Sequence, residues 1–587
     1  MENMEIIKVG EKTFKSSPFQ KEIFNEIMHG AGNMVITAAA GSAKTTTIEN
    51  CLRFIPEEKR KLFLAFNVST VDKLKNEVVN GNATRIMTFH GLGNRILREN
   101  GKITKDTKID EFKYSRYVKQ HINELTIYGE TESLGMEGIS YITNIISLCN
   151  YARYYMAMKV KEIAEVAGIY GLTPVRDEYD VVRKVLIWGE DNIESIDHTD
   201  MIWLPNILNL TTKKYLFDFI FIDEAQDTTL AHQQLVDKAF KRGCRFVAVG
   251  DPLQQINVWC GATERAIERY ESRPNTKKVL LPISYRCTKK IVEMAKQYSP
   301  DIMAQENAID GEIRYDVSAN GAKPGDLVLC RIISKLIEQY MSYLRSNKKA
   351  YLKGSDAVRS TYLELISKID AEKIDAKCCT KNGLIPQLYR LYFDRLKDIQ
   401  KQFNIDEEEA IYHYEALNLY DNIEAIKVLS EGLTKVSELV DKINVIFNGD
   451  ENDAIILSTV HKAKGMEADN VFILCPSLMP SQLARKEWEV QAERNLLYVA
   501  ITRAKKTLNY VKEEEFGFYK NFITTRSLMS DINYIRNRIK HGDESRNVDE
   551  IIAEAAIPTV SASAIDQTIR ESHQKKKKNP SKFLDLF

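Results

Sequence analysis

The chain has 587 residues, 44% of them hydrophobic and 28% charged, with 82 basic side chains against 82 acidic ones. That length is too great for one hydrophobic core and implies two to four domains, with the composition of a soluble globular protein. Zero net charge argues neither for nor against nucleic acid, because gripping DNA takes a local basic groove rather than a basic whole.

The first residues, MENMEIIKVGEK, hold no signal-peptide apolar region. Met34–Thr37 then reads as a buried strand running into a glycine-containing turn and a helix, and Lys61–Asn67 as a second strand. From residue 102 to about 200 the pattern is helical, rich in tyrosine and poor in glycine. Phe217–Ile222 and Arg245–Val249 are again short apolar runs that end in acidic residues or glycine. Strands alternating with helices imply a parallel sheet covered on both faces. The pattern restarts with Asp326–Cys330, Ala454–Thr459 and Asn470–Cys475, interrupted by a strand-poor helical stretch over 356–425. Past residue 545 the apolar content thins, and the tail carries four lysines, Lys575–Lys578. No apolar run is long enough to span a bilayer. The nine cysteines are scattered, and the adjacent Cys378 and Cys379 lack zinc-ligand spacing. Reduced thiols in a cytoplasmic, DNA-associated setting of a bacterium or virus are expected.

The segment Ala38–Thr46, AAAGSAKTT, follows a strand and opens a helix. Backbone N–H groups of Ala40, Gly41, Ser42, Ala43 and Thr46 in such a turn favour phosphate. Lys44 would reach the β- and γ-phosphates of ATP, and Thr45 would hold Mg²⁺ through its hydroxyl. The usual pattern has glycine where Ala43 stands, and a small-residue turn without a ligand is the other reading. Phe219–Ile222 runs straight into Asp223 and Glu224. There Asp223 would hold Mg²⁺, usually through water, and Glu224 would polarise the attacking water; an acidic helix cap is the plainer alternative.

DEAQD, Asp223–Asp227, resembles motif II of UvrD/Rep-like superfamily 1 DNA helicases, and the resemblance continues in order along most of the chain. Gln20 in SPFQKEI matches the family's adenine-reading glutamine. Leu64–Asn67 (LAFN) resembles motif Ia, Thr88–Gly93 (TFHGLG) motif Ib, and Val249–Ala262 (VGDPLQQINVWCGA) motif III. Ser284–Cys287 (SYRC) resembles motif IV, Ser458–Ile473 (STVHKAKGMEADNVFI) motif V and Glu493–Lys506 (ERNLLYVAITRAKK) motif VI. The nearest branch is that of F-box DNA helicases and several phage helicases. The resemblance implies an α/β chain of two RecA-like parallel-sheet P-loop NTPase domains, each with a mostly helical insertion. Residues 1–95 and 200–285 would form the first motor domain, with 96–199 its insertion. Residues 286–355 and 426–540 would form the second, with 356–425 its small insertion, and 541–587 a mostly disordered tail.

By the same resemblance Gln254 senses the γ-phosphate, Tyr285 stacks on adenine, Glu467 belongs to the nucleotide site, and Arg286 and Arg503 meet the developing phosphate charge. Phe66 and Trp259 match base-stacking positions, although either also reads as core. Asn67, Thr88, His90 and His461 match DNA-contacting positions. Asn257 and Cys260 depart from the family's tyrosine and arginine. The implied activity is ATP-dependent translocation on single-stranded DNA, probed by tailed or forked duplexes, with 3′→5′ polarity. A protein-displacing translocase and a DNA-end sensor that recruits an effector are the alternatives. Phe583–Phe587, FLDLF, resembles sliding-clamp-binding peptides and is expected to tether a clamp or another replication protein; folding back onto the motor is the other reading.

Overall fold

The computed structural model describes residues 6–9, 12–77, 83–127, 136–170, 172, 177–212, 216–256, 265–376, 378, 382–403, 405–481, 484, 487–513 and 532–539. Two six-stranded parallel sheets dominate it. The first has the order Thr276–Leu281, Asn33–Ala38, Phe240–Gly250, Phe217–Ile222, Lys61–Ala65, Thr84–Thr88. The second has the order Glu312–Val317, Ala504–Val511, Ala468–Ile473, Leu327–Cys330, Ile455–Thr459, Ala350–Leu352. The inner strands, such as KLFLA at Lys61–Ala65 and LVLC at Leu327–Cys330, are buried along their whole length. That explains their unbroken apolar runs, because helices cover both faces of a parallel sheet. The fold class is therefore the α/β arrangement expected.

Parallel strands share one carboxyl edge, and in open α/β sheets ligands bind outside that edge. The chain segments that carry chemistry leave from it. Ala39 follows Ala38, Phe66 follows Ala65, Asp223 follows Ile222 and Asp251 follows Gly250; in the second sheet Arg331 follows Cys330 and Val460 follows Thr459.

Five helices, Lys113–Leu125, Met136–Tyr155, Val160–Tyr170, Glu178–Asp191 and His198–Ile207, interrupt the first sheet and pack around their own core, including Val118, Ile145, Val182 and Trp203. Its buried charges are paired. Arg153 is fully buried between Asp197 and Asp200, with its guanidinium 3.8 Å from the Tyr114 ring centre, and Lys113 donates to Asp200 at 2.9 Å.

The second interruption differs. Its helices, Ser355–Ser367, Leu384–Phe403, Glu407–Ile411 and Tyr414–Leu429, are followed by Val436–Ile446, beyond residue 425 where the pattern placed the return to the sheet. Leu439 and Ile443 of that last helix face the interior, a helical spacing. One continuous apolar cluster joins these helices to the sheet, running from Val328 and Cys330 through Leu336 and Tyr340 to Leu388, Ile423 and Ile443. The helix Ile333–Arg345 has no side-chain cap of its own. Asp421 supplies one from the insertion, accepting from the backbone N–H of Ile333 at 2.6 Å and of Ser334 at 2.8 Å. These are orphan donors of a helix N-terminus, and a carboxylate there also suits the helix dipole.

Among the described residues, no helix is long and apolar enough to cross a membrane. Residues 541–587, including Phe583–Phe587, lie outside the described residues.

Removing the Asp421 carboxylate strands two helix-terminal N–H groups. Asp421→Ala is expected to lower unfolding free energy by about 2 kcal/mol, read from urea denaturation. An unchanged midpoint and slope would show that the cap contributes nothing.

Candidate nucleotide and nucleic-acid site

Between the strand Asn33–Ala38 and the helix Lys44–Cys51 the chain makes a tight turn. Gly41 stands at φ +74°, and a Cβ there would lie 2.6 Å from Arg286 Cβ and 2.8 Å from Ser284 Oγ, so glycine is required twice over. Ala43 also adopts the left-handed conformation, φ 59° and ψ 42°. For an L-residue this costs about 1–2 kcal/mol. No side chain caps the helix that Ala43 opens, and the Ser42 hydroxyl is buried without a partner. An uncapped helix N-terminus beside an orphaned hydroxyl is a cradle suited to an anion.

The adjoining strand Phe217–Ile222 delivers two carboxylates. Thr45 Oγ1 donates to Asp223 Oδ2 at 2.8 Å, and Lys44 Nζ lies 3.8 Å from Glu224 Oε2. A hydroxyl beside a carboxylate is a fitting oxygen donor set for Mg²⁺. Burial, then the neighbouring Glu224 charge, pushes the Asp223 carboxyl up. Burial would raise Glu224 as well, but Lys44, Lys464 and the Gln226 amide outweigh it and hold that carboxyl well down. Glu224 is itself left-handed at φ 50°, one of the strained conformations that cluster at functional sites. Gln226 Nε2 donates to Glu224 at 2.5 Å while its Oε1 accepts from Asp251 N at 3.0 Å; Asp251 in turn accepts from Gln254 Nε2 at 2.7 Å. A polar chain thus links Glu224 to Gln254.

The second half of the chain completes this cleft. The Tyr498 hydroxyl accepts from the Ala40 N–H at 3.0 Å, inside the phosphate turn. Asn495 Nδ2 donates to the Gln255 carbonyl at 2.9 Å. Lys464 Nζ pairs with Asp227 and donates to the Gln254 carbonyl at 2.9 Å. Tyr285 donates to Gln20 Oε1 at 3.3 Å, and fully buried Gln20 donates to Thr47 Oγ1 at 3.0 Å. The two arginines are engaged within their own half. Arg286 pairs with Glu467 at 2.5 Å and donates to the Thr502 carbonyl at 3.3 Å; Lys505 also pairs with Glu467, at 2.8 Å. Arg503, 1% exposed, donates to the carbonyls of Val499 at 3.0 Å and Met466 at 3.1 Å. Burial and the nearby Arg286 charge bring its guanidinium down to about 10. In this arrangement Glu467 holds Arg286 in place.

Four of the residues matched to DNA contacts, Phe66, Asn67, Thr88 and His90, stand at the end of the strands Lys61–Ala65 and Thr84–Thr88. Phe66 is partly buried, its ring centre 5.1 Å from that of Phe89 and 5.5 Å from that of His232, so it belongs in part to the core, while Asn67 is exposed. The Thr88 hydroxyl caps the helix Phe89–Glu99, accepting from Gly91 N at 3.0 Å. His90 stands edge-on to His198 at 5.5 Å, and its ring is held neutral-leaning by burial and the His198 charge. His461, in the second half, is pushed down to about 4 by burial and by Arg331. Trp259, Asn257 and Cys260 lie outside the described residues.

Sequence reading did not single out the Lys464–Asp227 pair, Tyr498 or Asn495. All four lie inside quoted motifs, yet contacts across more than two hundred positions leave no local pattern.

A family model described as the UvrD-like helicase C-terminal domain matches residues 95–515. The chain is 24% identical over 608 residues to the ATP-dependent DNA helicase PcrA of Bacillus subtilis, covering 81% of this chain and 80% of that one. It is 24% identical over 604 residues to PcrA of Staphylococcus epidermidis, covering 81% of each. F-box DNA helicase 1 of Gallus gallus is 22% identical over 547 residues, covering 83% of this chain and 48% of that protein.

Two outcomes follow from this geometry. Ala43→Gly relieves a left-handed alanine and is expected to stabilise the fold by about 1 kcal/mol, after allowing for the looser unfolded chain; a lower melting temperature would contradict it. Lys464→Met leaves the largely buried Asp227 carboxylate without its cation and is expected to cost about 3 kcal/mol. Adding Asp227→Asn should recover most of that loss in chemical denaturation, whereas additive losses would mean that the two side chains do not depend on one another.

Proposed function

The chain belongs to the UvrD-like helicase family, and on that premise we propose that it is an ATP-dependent DNA helicase. It moves 3′→5′ along single-stranded DNA and opens tailed or forked duplexes in replication, recombination or repair. The observation that carries this reading is the convergence of both halves on the phosphate turn, with Tyr498 on Ala40 and Lys464 on Asp227. A nucleotide held there touches groups from both sheets, so its binding and its hydrolysis have mechanical consequences.

On this reading the side chains take distinct roles. The turn Ala40–Thr46 and Lys44 hold the phosphates, and Gln20 and Tyr285 meet the base. Thr45 and Asp223 would hold Mg²⁺, which would supply positive charge against the phosphate oxygens. Glu224, kept ionised by Lys44 and Lys464, orients the water and accepts its proton. Gln254 sits one polar relay away and is placed to report the state of the γ-phosphate. Arg286 and Arg503 reach the phosphate only by exchanging partners, Arg286 leaving Glu467 and Arg503 leaving the carbonyls it now bonds. Such an exchange makes full charge stabilisation conditional on closure. Phe66, Asn67, Thr88, His90, Trp259 and His461 form the track. Stacking on aromatic rings lets it hold any base. Phe583–Phe587 serves as a tether to a sliding clamp or another replication protein, which raises local concentration at a fork.

Lys44→Ala and Glu224→Gln should both abolish DNA-stimulated hydrolysis by different routes. Lys44→Ala weakens nucleotide binding, while Glu224→Gln leaves binding intact and stops turnover. Fluorescent-nucleotide titration alongside phosphate release separates them, and normal turnover by Glu224→Gln would remove that residue from its role. Unwinding of 3′-tailed but not 5′-tailed duplexes by the unmodified protein checks the polarity.

A further inference from the structure

The first helical insertion carries an exposed aromatic side chain that its own core does not use. Phe112 is 68% exposed and its neighbour Ile109 is 51% exposed, and neither packs against the core of the insertion. The backbone beneath them is firmly held. Lys108–Ile109 pairs in parallel with Ser195–Ile196, and Asp110 N donates to the Ile196 carbonyl at 2.8 Å. The Asp110 carboxylate accepts from Phe112 N at 3.1 Å and is gripped by Arg116, whose own N–H donates to the Phe112 carbonyl at 2.8 Å. An apolar ring fixed in water gains nothing there unless something covers it.

Charge and continuity indicate what covers it. Lys102, Lys105 and Lys108 are exposed on the segment that leads to Phe112. The segment also exposes two acids: Asp106 beside Lys105, and Glu111, which is paired with the His198 ring and accepts from the His198 N–H at 3.3 Å. His198 in turn meets His90 edge to face at 5.5 Å, and His90 borders Phe66 through His232. A surface through Glu111, His198 and the half-buried His90 therefore leads from Phe112 toward the proposed track, while His232, the ring between His90 and Phe66, is buried.

We infer that this surface extends the DNA track, with Phe112 stacking on a base of the same single strand and Lys102, Lys105 and Lys108 facing its phosphates. The inference rests on the reading of the chain as a DNA motor. A ring on a fixed backbone loses little freedom when it stacks, and the contact is indifferent to sequence because every base presents a π-face. Lysines beside it add salt-sensitive affinity.

The test uses the full chain and fluorescence anisotropy with oligothymidylates graded in length, from one that fills only the stretch around Phe66 and His90 to longer strands. The unmodified protein should gain affinity once the strand is long enough to reach Phe112. Phe112→Ala should lose about tenfold on long strands and nothing on the shortest, while Phe112→Trp should keep the gain. Replacing Lys102, Lys105 and Lys108 together with alanine should flatten the salt dependence on long strands only. Matched melting temperatures confirm that each variant is folded, as expected for exposed positions. Equal affinity of Phe112→Ala and the unmodified protein at every length overturns the inference, as does a loss confined to duplex-containing substrates. If the unmodified protein binds no oligothymidylate of any length, the motor reading itself fails, and the two failures are distinct.

Discussion

The Ala40 N–H lies in the turn that would cradle phosphate, and its partner is a hydroxyl more than four hundred residues away, on Tyr498. A buried peptide donor left unpaired costs about 1–3 kcal/mol, so the phosphate turn and the second half of the chain stabilise each other. Lys464 and Asp227 add a second tie of the same kind, since a largely buried carboxylate must keep its cation or be hydrated. The site is shared because the carboxyl edge of the first sheet meets groups that the second half supplies from the helix Glu487–Ile501 and from just before the strands Ala468–Ile473 and Ala504–Val511. Cleft geometry, the polar chain from Glu224 to Gln254 and the positions of Arg286 and Arg503 all depend on that meeting.

Two strained residues stand at the carboxyl edge of the first sheet. Ala43 and Glu224 are both left-handed non-glycine residues, one opening the phosphate helix and the other holding the carboxylate proposed to orient water. Each conformation is unfavourable alone and persists because the strands on either side over-determine it. The surrounding charges are similarly fixed in advance: Glu224 is kept ionised by two lysines, one from each half, while Asp223 beside it is pushed up by burial. Positioned charge of this kind needs no reorganisation at the moment of reaction. Around the motor core the two insertions are built differently. The first folds about its own core, with Arg153 and its carboxylates inside, whereas the second shares one apolar cluster with its sheet and caps that sheet's helix through Asp421.

The inner strands were legible from composition because burial on both faces demands continuous apolar runs, as in FIFI before Asp223 and LVLC before Arg331. Strands at or near a rim were not. Glu312–Val317 (EIRYDV) is largely exposed, and Ala504–Val511 (AKKTLNYV) carries two lysines, so neither has the apolar signature of a core strand. The end of the second insertion is hard to read for a related reason: Val436–Ile446 packs with the same cluster as the sheet, and its pattern alone does not say which body it joins. At the candidate site, motif order pointed to the turn Ala38–Thr46 and to Asp223 and Glu224, which the fold brings together. It did not reveal that Glu467 holds Arg286, that Gln20 is fully buried against Thr47, or that Lys464 crosses to Asp227. Those are contacts between distant segments, set by how the two sheets meet.

If the cleft is an engine for movement along DNA, occupancy of the track must alter the geometry of the nucleotide site, since Phe66 and Asp223 leave neighbouring strands of one sheet. The most direct measurement is steady-state ATP hydrolysis by the full chain with and without saturating single-stranded DNA. Slow turnover that rises severalfold when the strand is added is the predicted result. A rate that is the same with and without DNA would contradict the account.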